Sequence, residues 1–465
     1  MNHADILSSP TDSSPTDSSL REDSKPASSN GHAAICYRME PAKRMLAQQA
    51  CARDCAAPLS NDLPDVPPCL LCSQQHSVID LEKVCRVALM VTPEATGDVT
   101  DEAWEAVSTI RAVLKQQAGP MTVTMQTVFL RRAEDEAVCR RLFEVYYGDR
   151  LPATSFVVQP PCGGQSLAIE AWALGGQNAN IEFLAPDVVS AEYDGLRWIH
   201  LAGITPSDKV TSPYAQSKCV FDEMAGRLEF AGASFRDVVR TWLYIGGITE
   251  VQDGIERYRE LNRARTDVFD AQHATGRMPV GSNDQVCYPA STGIGMSSRG
   301  LDIGCLALQT NRDDVLLLSL ENPQQTAAFD YDPSFSIKSP KFSRAMAVVI
   351  GNYVTTWISG TASIVNSESV HLGDAAMQTE QTINNIENLI ARENFARHGV
   401  PGAGAELSDL AKVRVYVKHP ADYEMCREVC ERRFGSLPTI YAQADVCRSE
   451  LLVEIEGVTF SRCHC

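Results

Sequence analysis

Residues 438–457 read PTIYAQADVCRSELLVEIEG. Two apolar runs flank the polar turn Arg448-Ser449-Glu450, a pattern that predicts a closing pair of strands joined as a hairpin. In the second run Val453 and Ile455 share one face, and Glu454 and Glu456 the other. A carboxylate held on a rigid strand is a candidate general acid, because packing fixes it and partial burial raises its pKa. The competing reading is an ordinary solvated strand face. The segments upstream decide between the two.

Working back from this stretch, one order of elements occurs three times. The third copy opens with the strand pattern NYVTTWISGTASIV (352–365), followed by a long helix over about 374–397, the strand LAKVRVYVK (410–418) and the helix DYEMCREVCERRFG (422–435). The second has LRWIHLAGI (196–204), a helix over 213–230, VVRTWLYIGG (238–247), GIERYRELNRARTDVFDAQ (254–272) and the strands YPASTGIGM and GLDIGCLAL (288–308). The first has VCRVALMVT (84–92), a helix over 101–118 capped by Thr100-Asp101, TVTMQTVFL (122–130), EDEAVCRRLFEVYYG (134–148), TSFVVQP (154–160) and SLAIEAWAL (166–174). Strand, long helix, strand, helix, hairpin over roughly 100 residues is a repeated unit, and the match of whole units outweighs any one motif. The predicted class is α+β: three tandem units, each a mixed sheet backed by two helices. The boundaries read 1–78 for an N-terminal arm, 79–178, 179–312 and 346–465 for the three copies, and 313–345 for an insert. A loop as long as that insert is often functional.

Composition narrows the function classes. The chain has 465 residues, 44% of them hydrophobic, and a formal net charge of -18. The charge and the lack of a basic patch argue against nucleic acid as a partner, and no apolar run approaches the ~18 residues that would span a membrane. The N-terminus, MNHADILSSPTDSSPTDSS, has no charged region followed by an apolar core and does not read as a secretory signal. Sixteen cysteines without a framework spacing fit reduced thiols in the cytoplasm. In the arm, Cys51, Cys55, Cys69 and Cys72 include one CxxC pair, which leaves a zinc site open beside the plainer reading of a flexible arm. Elsewhere nothing demands a metal. The segment STGIG (291–295) opens no helix and is not a phosphate loop. His371 in VHLGD could serve as a base, but a lone His before a turn is more often structural.

The order of elements resembles the RidA/YjgF fold, most specifically in LPATSFVVQPP…LAIEAWAL (151–174) and FGSLPTIYAQADVCRSELLVEIEG (434–457). RidA proteins are homotrimers, so three copies in one polypeptide could close into a pseudo-trimer, with the chain a monomer of that kind or a homo-oligomer. The arginine with which RidA deaminases hold a substrate carboxylate would fall at Ile440, or at Tyr441 allowing a slip, and at Thr154 or its neighbour Ser155 in the first copy, and is missing. A narrower resemblance, over residues 180–460, is to the chorismatases. It is carried by RTWLYIGGI (240–248), YRELNRARTDVF (258–269), MPVGSN…YPASTGIG (278–295), LENP (320–323), KFSRA (341–345), ISGTASI (358–364), VHLGD (370–374) and ADVCRSELLVEIEG (444–457). Because that family has two RidA-like halves, the first copy reads as an addition.

The resemblance implies cleavage of the enol ether of chorismate, releasing pyruvate, with no cofactor. Glu454, not Glu456, matches the family's general acid. Arg265 and Arg344, with Arg427 as a third candidate, are the expected partners of the substrate carboxylates, since a guanidinium fork suits a carboxylate. Gly360 and Cys447 stand where the hydrolytic type has alanines and the 3-hydroxybenzoate-forming type has Gly and Cys, so the pair implies 3-hydroxybenzoate as product. The alternatives are hydrolysis to a dihydroxycyclohexadiene carboxylate and a RidA-like scaffold without catalysis. In the insert, FDYDPSFS departs from the family pattern and puts Phe329, Tyr331 and Phe335 near the substrate. The family's alternative name, pteridine-dependent dioxygenase-like, would imply iron, for which no facial triad of two His and a carboxylate is present.

Overall fold

The computed structural model describes residues 35–37 and 70–463, apart from 177, 282–284 and 333–337. One sheet topology occurs three times. The first sheet runs β2 (Leu70–Cys72), β3 (His76–Asp80), β4 (Cys85–Val91), β7 (Leu167–Gly175), β5 (Met121–Leu130), β6 (Ala153–Val157). The second runs β8 (Asn180–Ala185), β9 (Val188–Tyr193), β10 (Leu196–Ile204), β15 (Leu301–Thr310), β11 (Val238–Gly246), β14 (Ala290–Met296). The third runs β16 (Val315–Leu320), β17 (Ala345–Ile350), β18 (Tyr353–Ala362), β23 (Val453–Arg462), β21 (Leu410–Val417), β22 (Thr439–Gln443), and β1 (Ile35–Tyr37) extends it at the β16 edge. Two short hairpins, β12 (Val251–Gln252) with β13 (Ile255–Glu256) and β19 (Ile364–Val365) with β20 (Glu368–Ser369), stand apart from these sheets. The fold is α+β, as the repeated pattern implies.

Each sheet has two kinds of face. One packs on helices: α1 (Val99–Lys115) and α2 (Glu136–Tyr147) on the first, α3 (Pro213–Phe230) and α4 (Arg257–Ala274) on the second, and α5 (Ala375–Ile390), α6 (Arg392–Arg397) and α7 (Tyr423–Phe434) on the third. The other faces meet in one shared core. Each sheet contributes a tryptophan to it: Trp172 lies 5.5 Å from Trp357, and Trp242 6.2 Å from Trp357, between ring centroids. Strands buried on both sides read as near-continuous apolar runs, which is why β7 and β11 are buried along their whole length.

The three sheets close a ring within one chain. Ser155 Oγ on β6 donates to Asp302 of the second sheet at 2.7 Å. Ser291 N on β14 donates to Ser359 Oγ of the third at 2.8 Å. The third returns to the first where Cys162 N donates to Tyr441 O at 3.0 Å and Gln443 N to Pro160 O at 2.8 Å.

Several expectations need correction. The closing stretch is not a hairpin: β22 pairs in parallel with β21, which also pairs with β23, so β21 separates the two strands. The same holds for β6 and β14, each parallel to its neighbour. A parallel partner needs a crossover, and the helices α2, α4 and α7 supply it. The chain from 444 to 452 therefore links strands that are not neighbours; the turn expected at Arg448-Ser449-Glu450 is present within it, with Leu451 N donating to Arg448 O at 3.2 Å, but it closes no hairpin. The long helix expected over 374–397 stops at Ile390, where Ala391 is extended (φ -58, ψ 147), and resumes as α6. The cap of α1 is Asp98, whose side chain accepts from Thr100 N and Asp101 N. The arm read as 1–78 includes β2 and the start of β3, which belong to the first sheet. Cys72 lies in β2, where its Sγ meets the Leu410 carbonyl at 3.5 Å; Cys51, Cys55 and Cys69 lie outside the described residues. The segment 313–345 opens with β16, paired along its length with β17.

Trp357 touches the tryptophans of both other sheets, so Trp357→Ala should lower stability by about 3–5 kcal/mol, read as a shifted midpoint in denaturant unfolding.

Candidate active site

Strand β23 alternates as expected, with Val453 and Ile455 in the helix-facing core of the third sheet. The opposite face is not solvated. It points into the junction of the three sheets, and Glu454 and Glu456 are each 3% exposed.

The two carboxylates meet different surroundings. Glu456 is fully engaged: Arg414 Nη1 lies 2.9 Å from Oε1, Tyr416 OH donates to Oε1 at 3.2 Å, and Arg240 and the Thr292 hydroxyl close on Oε2. Burial alone would raise its pKa, but Arg414, Arg240 and Thr292 outweigh that and hold Glu456 below the usual range. No hydrogen bond or ion pair reaches the Glu454 carboxyl among the described residues. Burial pushes its pKa up to about 8, the Glu456 charge adds to this, and Arg240 and Arg344 only partly offset it. One strand thus presents a locked anion and, two residues earlier, a neutral acid.

Glu454 borders a cavity of about 460 Å³, a volume in the range of small-molecule sites. The cavity lies between the second and third sheets. Its wall includes Tyr258, Asn262 and Arg265 from α4, Ser291 and Gly293 from β14, Gly360 and Ala362 from β18, Cys447, Arg448 and Glu450 from the 444–452 connection, and Tyr331, Phe342 and Arg344 from the insert. Five of the six expected residues converge there: Glu454, Cys447, Gly360, Arg265 and Arg344. Arg427 does not. It lies on the exposed face of α7, paired with Glu424 at 2.8 Å, because the helix turns that side to solvent. His371 is exposed in a turn at φ 58, and its carbonyl accepts from Asp374 N, a structural part.

Both guanidiniums are preset. Arg265, 2% exposed, donates to Asn262 Oδ1 at 2.6 Å and lies 5.7 Å from the Phe342 ring. Arg344, 4% exposed, donates to Tyr331 OH at 2.6 Å and to Thr326 O at 3.0 Å, and Phe342 lies 5.5 Å away. The Nε of each is buried without a hydrogen-bond partner. Unpaired buried donors are rare, and two beside one cavity suit an anionic ligand. Tyr331 is in the wall as expected; Phe329 instead packs on Tyr288, and Phe335 lies outside the described residues. Burial pushes the Cys447 thiol up to about 12, so it is neutral.

Gly360 has a steric reason to be glycine. A β-bulge between Ile358 and Thr361 aims it at the acid, and a Cβ there would overlap the Glu454 carboxylate and sit 3.1 Å from Thr292 Cγ2. Its N–H donates to Thr292 Oγ1 at 2.9 Å.

The ring has three sheet junctions, and the sheet registers make them comparable. Asp302 faces Tyr244 on β11 as Glu454 faces Tyr416 on β21; Ala168 faces Phe129 at the same place in the first sheet. Between the first and second sheets Gly203 N donates to Ser155 Oγ at 3.0 Å, repeating the Gly360–Thr292 bond. There the residue before β9 is Asp187, where Arg344 precedes β17. That junction keeps an acid, a hydroxyl and a glycine but sets a carboxylate in place of the guanidinium. The third lacks the acid. Among the described residues, the cleft between the second and third sheets is the junction that combines a neutral acid with buried arginines.

The sequence matches the family model described as Chorismatase FkbO/Hyg5-like, N-terminal, over residues 200–307. The chain is 32% identical over 297 residues to a 3-hydroxybenzoate synthase of Streptomyces hygroscopicus, covering 62% of this chain and 80% of that protein. It is 32% identical over 278 residues to a chorismatase of Streptomyces rapamycinicus, covering 58% and 78%. The chain belongs to the chorismatase family. A crystal structure of chorismatase at 1.08 Angstrom resolution shares the fold, with a TM-score of 0.55 and 22% identity over 80% of this chain and 98% of that one. That share is larger than residues 179–465 alone, so the likeness in fold extends into the chain before residue 179.

Arg240, Thr292, Tyr258 and Asn262 were not singled out from the sequence. RTWLYIGGI and YRELNRARTDVF contain three of them, but only the ring of sheets shows that Arg240, 1% exposed, faces inward. A Gly360→Ala variant should keep the fold, while its crystal structure shows the Glu454 carboxyl displaced from its place beside Thr292.

Proposed function

We propose that this chorismatase-family protein cleaves the enol ether of chorismate to pyruvate and 3-hydroxybenzoate without a cofactor. The observation that supports this best is the Glu454 carboxyl, buried, protonated and unpaired, at the wall of a cavity that also holds Arg265 and Arg344. Chorismate carries two carboxylates, and the two guanidiniums offer a partner for each. Glu454 delivers its proton to the terminal vinyl carbon. The charge that develops on the enol ether makes pyruvate a leaving group. In the 3-hydroxybenzoate route the neighbouring ring hydroxyl, losing its proton, attacks the ring carbon that bears the ether; the C–O bond to pyruvate breaks, and the resulting ring oxide opens at the hydroxyl's original carbon with loss of the proton on the attacked carbon, which gives the phenol, so no water is consumed. In the hydrolytic route one water is consumed and a diol results.

The reading of the product rests on Gly360 and Cys447. In the family resemblance this pair marks the 3-hydroxybenzoate-forming type, and the 3-hydroxybenzoate synthase of S. hygroscopicus is among the relatives. Glycine leaves Glu454 its place beside the bulge, and the neutral Cys447 thiol is a small apolar wall with a weak donor. The cavity is lined within one chain, so a second copy is not required for it. Eleven cysteines among the described residues are free thiols, which fits the cytoplasm; no described helix is long and apolar enough to cross a membrane.

Incubation with chorismate, with products followed by chromatography, tests this. Pyruvate with 3-hydroxybenzoate is expected, whereas a non-aromatic diol would overturn the product and absence of turnover the reaction. Glu454→Gln keeps the shape but cannot donate the proton, so kcat should fall at least about 100-fold. A carboxyl is protonated below its pKa and ionised above it. The rate should therefore hold below about pH 8 and fall as the pH rises through about 8, read from a kcat/KM profile, which reports the groups of the free protein. Arg265→Ala and Arg344→Ala should raise KM about 10-fold or more through loss of charged hydrogen bonds, while Arg427→Ala should leave both constants within about twofold.

A further inference from the structure

Among the described residues the first sheet lends nothing to the cavity wall, yet it reaches the acid through one line of bonds. Glu170, 2% exposed on β7, is ion-paired with both Lys412 and Arg414 of β21. Arg414 continues to Glu456 Oε1 at 2.9 Å and is steadied by Tyr244 OH at 2.6 Å and Thr127 Oγ1 at 3.0 Å, one from each of the other two sheets. Glu456 holds Arg240 and Thr292, Thr292 accepts from Gly360 N, and Gly360 adjoins the Glu454 carboxyl. The proposed reaction makes no use of Glu170, Lys412 or Arg414.

We propose that Glu170 is a positioning residue for Glu454: from the first sheet it holds Arg414, and through Arg414 it holds Glu456 as the fixed charge beside the acid. The inference rests on Glu454 being the general acid. Glu454 faces Glu456, Arg240, Arg344, Cys447 and Tyr258; Glu456 faces Arg414, Arg240, Tyr416, Tyr244 and Glu170. In this dry cluster a charge removed at Glu170 is felt at Glu454, because little water intervenes to screen it. A role in folding alone would lower the active fraction equally at every pH.

The test is the alkaline limb of the kcat/KM profile with chorismate, using the full chain. Glu170→Gln takes away a negative charge, leaving Arg414, Arg240 and Lys412 to favour the ionised form of Glu454. The limb should move down by at least about half a pH unit, with KM within about twofold because Arg265 and Arg344 stand outside the network. Glu170→Asp should restore most of the limb. Lys412→Met removes a positive charge and should move the limb up, and the charge-balanced double variant should bring it back. A limb unmoved in folded Glu170→Gln overturns the proposal, as does an unmoved limb in Lys412→Met if Glu170→Gln does not fold. Failure of all these variants to fold also overturns it, since the network would then serve folding alone. Turnover retained by Glu454→Gln would instead sink the assignment of the acid, so the two failures are distinguishable.

Discussion

The structure depends on a group of charges buried where three sheets meet. Glu170 from the first sheet, Arg240 from the second, and Lys412, Arg414 and Glu456 from the third form one connected set of ion pairs. Burying ions is costly, and removing a single partner from such a set typically costs about 3–5 kcal/mol. Each ion therefore needs its partners in place: the ring closes with every charge in contact with an opposite one, or the charges must return to water. Specific pairing also fixes how the sheets face one another, which apolar packing of Trp172, Trp242 and Trp357 would do less strictly.

That constraint explains how two glutamates on one strand come to differ. Glu456 is drawn into the network and held as an anion; Glu454 is left with burial and a negative neighbour, and both favour its protonated form. The general principle is that adjacent titratable groups take opposite roles when their environments push their pKa values apart. Here the separation comes from which residue the network reaches. Gly360 completes it, because a side chain there would take the acid's space.

The repeat supplies three quasi-equivalent sheet junctions, and divergence leaves one with a neutral acid beside two buried arginines. Asp302 is buried like Glu454, and burial likewise pushes it up to about 8, but Asp187 stands where Arg344 would be and Ser155 already occupies the carboxyl. Ala168 removes the acid from the remaining junction. The long insert before β17 brings Tyr331, Phe342 and Arg344 to one cleft alone. Three similar scaffolds thus yield one candidate site, and the differences lie at a few strand ends.

Much of this was legible in the chain. Period-two alternation identifies Glu454 and Glu456 as one face of β23, and the recurrence of strand and helix patterns gives three α+β units, because those patterns are local. Motif resemblance picks out Glu454, Gly360, Cys447, Arg265 and Arg344. Strand pairing is not local. The expected closing hairpin is parted by β21, since sequence neighbours in a mixed sheet need not be neighbours in space. Alternation says that two carboxylates share a face but not whether that face meets water or another sheet; closure of the ring decides it. Arg427 and Arg265 are both helical arginines in sequence, and only packing turns one outward and the other into the cavity. The order, type and local faces of the elements follow from the chain by itself. Which faces are buried together, and hence which carboxyl is a neutral acid and which an anion, is a property of the tertiary structure, because a pKa is set by neighbours that are distant in sequence.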